Sequence, residues 1–320
     1  MKKLFAAVAV CVFISGLAAA AEIRGAWTAE VQDDQSIQLN LTHRGSHNGH
    51  TMAASDFAGL TDAALRATTQ TAATFELKRE AGRIAFEGTF KNGFGAGQFT
   101  FNENPNYIAT LRNLGVTFEE SDHDGDEMLM MTMLDVSTVY IRSLQAEGYS
   151  GLSGEKYVAM RIFKVTPELI RELRSLGFDK IDADELVATR IHKVTPDYIR
   201  SMRAAGYTTL SLDNLVASRI HKATPEFLSE MKSLGYGNVD FDDLVAFRIH
   251  RVTPDFIREM RDLGYTNISA DDLVAMRIHR VTPEFIKELK DAGYQRIPIE
   301  KLIEMRIQGI DANFIRKMNK

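Results

Sequence analysis

The chain has 320 residues, a formal charge of −5 and one cysteine, Cys11. A mildly acidic chain is a poor candidate for nucleic-acid binding, which rests on a basic face. Beyond the leader, no stretch reaches the ~20 apolar residues of a membrane span.

Met1-Lys2-Lys3, an apolar run over residues 4–17 and four alanines at 18–21 have the layout of a secretory signal peptide over residues 1–21. Cleavage is expected after Ala20 or Ala21, and the mature chain is expected to be periplasmic or secreted. Val10 rather than a small residue precedes Cys11, which argues against lipidation. Losing the leader removes Cys11, Lys2 and Lys3, leaving a more acidic chain without disulfides that must rely on its core.

Residues 22–103 read as a small antiparallel β module, a sandwich or a partly closed barrel. Ile37, Leu39 and Leu41 alternate with Gln38, Asn40 and Thr42, the period of a half-buried strand. Phe75 with Leu77, Ile84 with Phe86, and Phe99 with Phe101 repeat it. Glu80-Ala81-Gly82 and Lys91-Asn92-Gly93 are hairpin turns, and one short helix is expected near Thr61 to Arg66, capped by Thr61 or Asp62.

Three features of this module invite a function. Gly93-Phe94-Gly95-Ala96-Gly97 looks like a phosphate loop, but it leads into a strand and lacks the helix that would hold a phosphate, so a turn and bulge is expected. His43, His47 and His50 are close enough in sequence to collect a metal, yet they fall in what reads as a solvated Gly/Ser/Asn-rich turn. Trp27 and Phe94 form a conceivable stacking face, with core the preferred reading.

Residues 104–320 repeat every 29 residues. Thr-Pro recurs at Thr166-Pro167, Thr195-Pro196, Thr224-Pro225, Thr253-Pro254 and Thr282-Pro283. Thr caps a helix A, Pro occupies its first position without losing a bond, and Glu or Asp follows where the helix dipole favours a negative charge. In the last clear copy Phe285, Ile286 and Leu289 make the buried stripe, Gly293 stops the helix and Tyr294 packs back on Leu289. Helix B starts at a capping box, Asp182 with Glu185 or Ser269 with Asp272. Its apolar run is Leu273-Val274-Ala275 with Ile278, and Arg277 and His279 lie at its end. Such short helices bury a face only by stacking, so an α-solenoid of helix pairs is expected. Degenerate copies at Pro105 and Thr138, and a half copy at Ala312, give seven cycles and a terminal half. The first cycle carries four extra residues. The fold class is α+β, multidomain.

Two polar patterns stand out in the array. Asp122, Asp124 and Asp126 resemble the start of a calcium loop, but Glu127 and Met133 stand where such a loop needs Gly and a bidentate Glu. An acidic surface loop is preferred and a weak calcium site is the alternative. Arg190 with His192, Arg219 with His221, Arg248 with His250 and Arg277 with His279 form a ladder of Arg-Ile-His triplets. One reading is structural: cations at a helix C-terminus, with each Arg paired to an Asp or Glu. The other is a binding row for an anionic or carboxylate-bearing partner. The structural one is preferred, and helix spacing argues against a shared metal.

The pattern Val-Thr-Pro-Glu-Phe-Ile through Asp-Asp-Leu-Val-Ala-Met-Arg-Ile-His resembles an exported bacterial repeat family, with Phe86-Glu87-Gly88-Thr89-Phe90 preceding the array. It is similar to the soluble repeat part appended to metallopeptidases of the BlaR antirepressor type. That resemblance implies that the chain is a sensor partner of a membrane signalling protein. The chain has no His-Glu-x-x-His pair, so no proteolytic role and no zinc ligand carry over.

No nucleophile–base constellation is present, so no catalytic residue and no cofactor are assigned. The expected role is an exported binding or scaffold protein that holds a protein or peptide partner on its repeat surface. The alternative is an envelope enzyme or metal- or ligand-binding protein with its site where the β module meets the first repeat.

Overall fold

The computed structural model describes residues 22–32, 35–118, 126–311, 314 and 317. They fall into two compact units, one ending at Ile162 and one beginning at Phe163.

In the first unit six antiparallel strands form one sheet: Glu22–Val31 (β1), Ser36–His43 (β2), Ser46–Ala53 (β3), Thr71–Arg79 (β4), Gly82–Lys91 (β5) and Phe94–Glu103 (β6). The order β3-β2-β1-β6-β5-β4 joins two meanders through β1 and β6. Among the described residues β3 and β4 do not pair, so the sheet is open and not a closed barrel. Asn92 and Gly93, at φ 50° and 79°, make the two-residue turn between β5 and β6 that their identities foretell. The helix Asp62–Leu65 (α1) is capped by Thr61, whose hydroxyl accepts from the Ala64 N–H.

The large apolar side chains of the sheet share one face, with Phe94 the exposed exception. Trp27 lies 5.2 Å from the Phe75 ring centroid and 5.5 Å from that of Phe90. Yet β1 and β4 are three strand spacings apart, roughly 14 Å on a flat sheet. The sheet therefore coils around its aromatic centre, and glycines let it. A Cβ on Gly95 would lie 2.5 Å from the Phe90 ring, and one on Gly88 would lie 2.7 Å from Trp27. The Gly-rich stretch is thus neither a phosphate loop nor a bulge. Gly93 forms the expected turn, and from Phe94 on the stretch is a strand interior in which Gly95 leaves room for the Phe90 ring.

The helices run in pairs of nine-residue segments. In the first unit they are Pro105–Asn113 (α2) with Asp126–Leu134 (α3), and Thr138–Ala146 (α4) with Gly154–Ile162 (α5). Helix α3 is apolar all round, burying Met128, Leu129, Met131, Met133 and Leu134, and it packs on β4, β5 and β6. A helix with no polar face needs burial on all sides. By sealing the sheet, α3 ties the first cycles to the strands, and the compact units divide at Ile162 rather than at the last strand.

The second unit holds Pro167–Ser175 (α6) with Ala183–Ile191 (α7), Pro196–Ala204 (α8) with Leu212–Ile220 (α9), and Pro225–Ser233 (α10) with Phe241–Ile249 (α11). Pro254–Asp262 (α12) with Ala270–Ile278 (α13), and Pro283–Asp291 (α14) with Ile299–Ile307 (α15), complete it. Each Thr of a Thr-Pro pair accepts a hydrogen bond from the backbone N–H three residues on. Helix A then closes with Gly in the left-handed region, as at Gly264 (φ 97°), where Tyr265 N–H donates to Met260 O at 3.0 Å. The following tyrosines reach into the next repeat. The hydroxyls of Tyr207, Tyr236 and Tyr265 donate to Val239, Ile268 and Ile297 carbonyls at 3.0, 2.8 and 2.8 Å.

Candidate functional site

The Arg-Ile-His triplets end the B helices, and the structure separates their three residues by task. The arginines are structural. Arg190 Nε donates to Phe163 O at 2.9 Å, Arg219 Nη2 to Lys193 O at 2.7 Å, and Arg248 and Arg277 Nε to the His221 and His250 carbonyls at 3.3 Å. The Lys193, His221 and His250 carbonyls belong to the end of the previous B helix. The guanidinium of Arg219 also lies 3.9 Å above the Tyr198 ring centroid, and those of Arg248 and Arg277 lie 4.8 and 5.0 Å above Phe227 and Phe256. Arg219, Arg248 and Arg277 thus each join three helices: their own, the A helix before it and the earlier B helix. The partners are carbonyls and rings, where sequence reasoning expected carboxylates. Carboxylates are used elsewhere, at Arg200 with Glu172 (2.9 Å) and Arg258 with Glu230 (2.9 Å), which bridge successive A helices.

The histidines occupy the C-cap. His192, His221, His250 and His279 have φ between −89° and −92° and their N–H groups close the helix. The carbonyls of His221 and His250 receive the next arginine, while all four side chains are half-exposed. Among the described residues no group of three or more His, Cys, Asp or Glu side chains is arranged for a metal.

The isoleucines and the residues after the histidines are what sequence reasoning missed. Ile278 stands in the apolar run but is not core: Leu273 and Met276 are buried, and Ile278 is half-exposed. Ile191, Ile220, Ile249 and Ile307 match it, giving a row between 47 % and 62 % exposed. After each histidine comes a basic residue in the left-handed region: Lys193 (φ 56°), Lys222 (58°), Arg251 (58°) and Arg280 (57°), with Lys164 (54°) at the start of the unit. They close a Schellman turn, Lys193 N–H to Arg190 O at 3.3 Å and Val194 N–H to Thr189 O at 2.7 Å. An L side chain there costs on the order of 1 kcal/mol that glycine would avoid. All five cations are exposed.

At one step of the isoleucine row the surface dips. The depression of about 640 Å³ between Ile220 and Ile249 has Phe247 in its wall and carries Lys222, Arg248, Arg251 and Arg277, with His221 at its rim. Among the described residues no carboxylate lines it. The only signal in the sequence was the repetition of a β-branched residue before His and a cation after it.

The remaining candidates do not gather. His47 faces away from His43 and His50, because the register pairs it with Thr42 while His43 pairs with Ser46 and His50 with Leu39. The segment taken for a turn is β3 itself. His43 Nδ1 bonds Arg24 O at 2.6 Å and His47 Nδ1 bonds the Thr42 hydroxyl at 3.1 Å. Trp27 is buried and Phe94 is 62 % exposed, so they share no face. Asp122 and Asp124 lie outside the described residues, and Asp126 begins α3. Where the strands meet the first repeat, polar groups bind one another. Arg79 lies 3.3 Å from Asp56 and 3.5 Å from Asp135, Thr138 N–H donates to Glu80, and the Tyr107 hydroxyl donates to Val136 O. Burial, then the charges of Glu80, Asp135 and Glu127, raise the Tyr107 hydroxyl well above its ordinary pKa.

In comparison with known proteins, no family model and no curated relative matches this chain. No helix among the described residues is long and apolar enough to cross a membrane.

Proposed function

We propose that this chain is an exported, non-catalytic binding protein, periplasmic or secreted, that holds a protein or peptide partner on the C-terminal edge of its B helices. One observation carries the reading. Thr, Pro, Gly, Tyr and Arg of the repeat hold the array together, whereas the isoleucines leave about half of their surface in solvent and the cations beside them stand exposed where glycine would fit the turn better. Repeat arrays bind through such recurring faces. The polar groups at the strand–helix junction are bound to one another, which favours a binding role over an enzyme site there.

The test is a photo-crosslinking amino acid placed at Ile220 and at Ile249 in the exporting cell, with Phe94 on the sheet as the exposed control. A discrete adduct from both row positions, absent from the control, is the expected result. No adduct from either row position, or the same adduct from Phe94, sinks the reading. Fractionation with mass measurement of the mature protein checks export, with cleavage expected near Ala20 or Ala21.

A further inference from the structure

The chemistry of the edge also specifies what lies on it. We propose that the occupant is an acidic segment in an extended polyproline-II conformation, with an apolar side chain at every third residue. This rests on the reading above that the edge is a binding surface.

Charge comes first. Lys193, Lys222, Arg251 and Arg280 are exposed, and among the described residues none of them makes an ion pair. The depression between Ile220 and Ile249 carries four cations and no carboxylate. At the last step of the edge Glu284, Glu288 and Asp311 stand among Arg277, Arg280 and Arg306, so the stretch whose charge selects a negative partner is the one around Lys222 and Arg251. The cations are also held where glycine fits better, while helix A keeps glycine at the same step in Gly177, Gly206, Gly235, Gly264 and Gly293.

Spacing comes second. Neighbouring B helices pack directly on one another, which puts successive isoleucines about 8–10 Å apart. A polyproline-II chain rises ~3.1 Å per residue with three residues per turn, so one face returns every ~9.3 Å. A β-strand would cover the distance in about three residues but turn its side chain to the opposite face. An α-helix would need about six residues, which is not a whole number of turns. Only the polyproline-II repeat returns an apolar side chain at each step of the isoleucine row, the depression between Ile220 and Ile249 included, while its other positions meet the cations.

The test uses the full mature chain and a fluorescein-labelled peptide of four Glu-Pro-Leu units, read by fluorescence anisotropy. Controls are a peptide of the same composition with its leucines clustered, one with Lys replacing Glu, and vesicles of phosphatidylglycerol in phosphatidylcholine. The periodic acidic peptide is expected to bind, at least fivefold more tightly than the clustered one, and to weaken as salt rises. The double variant Lys222→Gly/Arg251→Gly keeps a residue suited to the left-handed turn and is expected to bind at least tenfold more weakly with unchanged helical signal. Ile220→Ser/Ile249→Ser is expected to weaken binding at least fivefold.

Equal binding of the clustered peptide, full binding by the glycine variant, or binding of the vesicles but not the peptide overturns the proposal. If the crosslinks at Ile220 and Ile249 form but the peptide does not bind, this inference fails and the binding reading stands. If the crosslinks are absent as well, both fall.

Discussion

The two helices of a repeat stop with the same hydrogen-bond pattern and different residues. At the end of helix A, Gly177 N–H donates to Arg174 O (2.8 Å) and Phe178 N–H to Leu173 O (3.2 Å). At the end of helix B, Lys193 and Val194 make the equivalent bonds. Both turns need a residue at positive φ. Helix A fills that place with the residue that fits, while helix B fills it with Asp135 (φ 54°) after α3 and with a cation from Lys164 to Arg280, until Gly309 (φ 72°) takes the last B position. The A end is built for stability. The B end gives some up and gains a charged, half-apolar edge.

Substitutions at the two ends sharpen that contrast. The largest effect is expected from Arg248→Ala, which removes both the contact over Phe227 and the bond to His221 O. Its urea midpoint should fall by the equivalent of about 2 kcal/mol. A neutral result would mean that the arginine is free for a ligand after all. Gly264→Ala should cost about 1–2 kcal/mol, because alanine resists φ 97°.

Tyr236→Phe, which leaves Ile268 O without its donor, should cost about 1 kcal/mol. The same hydroxyl sets an alkaline limit. Burial raises its pKa above the usual 10.0, so the folded chain holds the proton where the unfolded chain loses it. Stability from this group is complete below pH 10 and falls as pH rises beyond it. Melting followed from pH 8 to 11 should show a shallower decline in the Phe variant. Lys222→Gly closes the series with the smallest effect and the opposite sign. It should gain less than about 1 kcal/mol, since glycine relieves the turn but frees the unfolded chain. A loss of stability there would break the contrast between the two ends.

What could be read in the sequence follows how local the cause is. Thr253, Pro254 and Gly264 announce the start and stop of helix A because capping is settled within a few residues. The partner of Arg248 depends on a carbonyl 27 residues away, which no window of sequence contains. Lys222 carries no mark of its left-handed turn, as glycine or asparagine would have. Ile278 misled by identity, since an isoleucine in an apolar run reads as core. The strands were legible where apolar residues alternate, but β3, with His47, Asn48 and His50, lacks that signal. The pairing of β1 with β6, which leaves β3 and β4 as the two edges, joins residues from opposite ends of the module.

The coiling of the sheet over its glycines has an experimental consequence. Trp27 is the only tryptophan in the chain. It is buried among Phe75, Phe86 and Phe90, with its indole N–H donated to Glu87 O at 3.2 Å. Its emission reports the first unit alone, while far-ultraviolet circular dichroism is dominated by the helices. Heating one sample under both probes would tell whether the two units melt together or one after the other, with no label and no truncation.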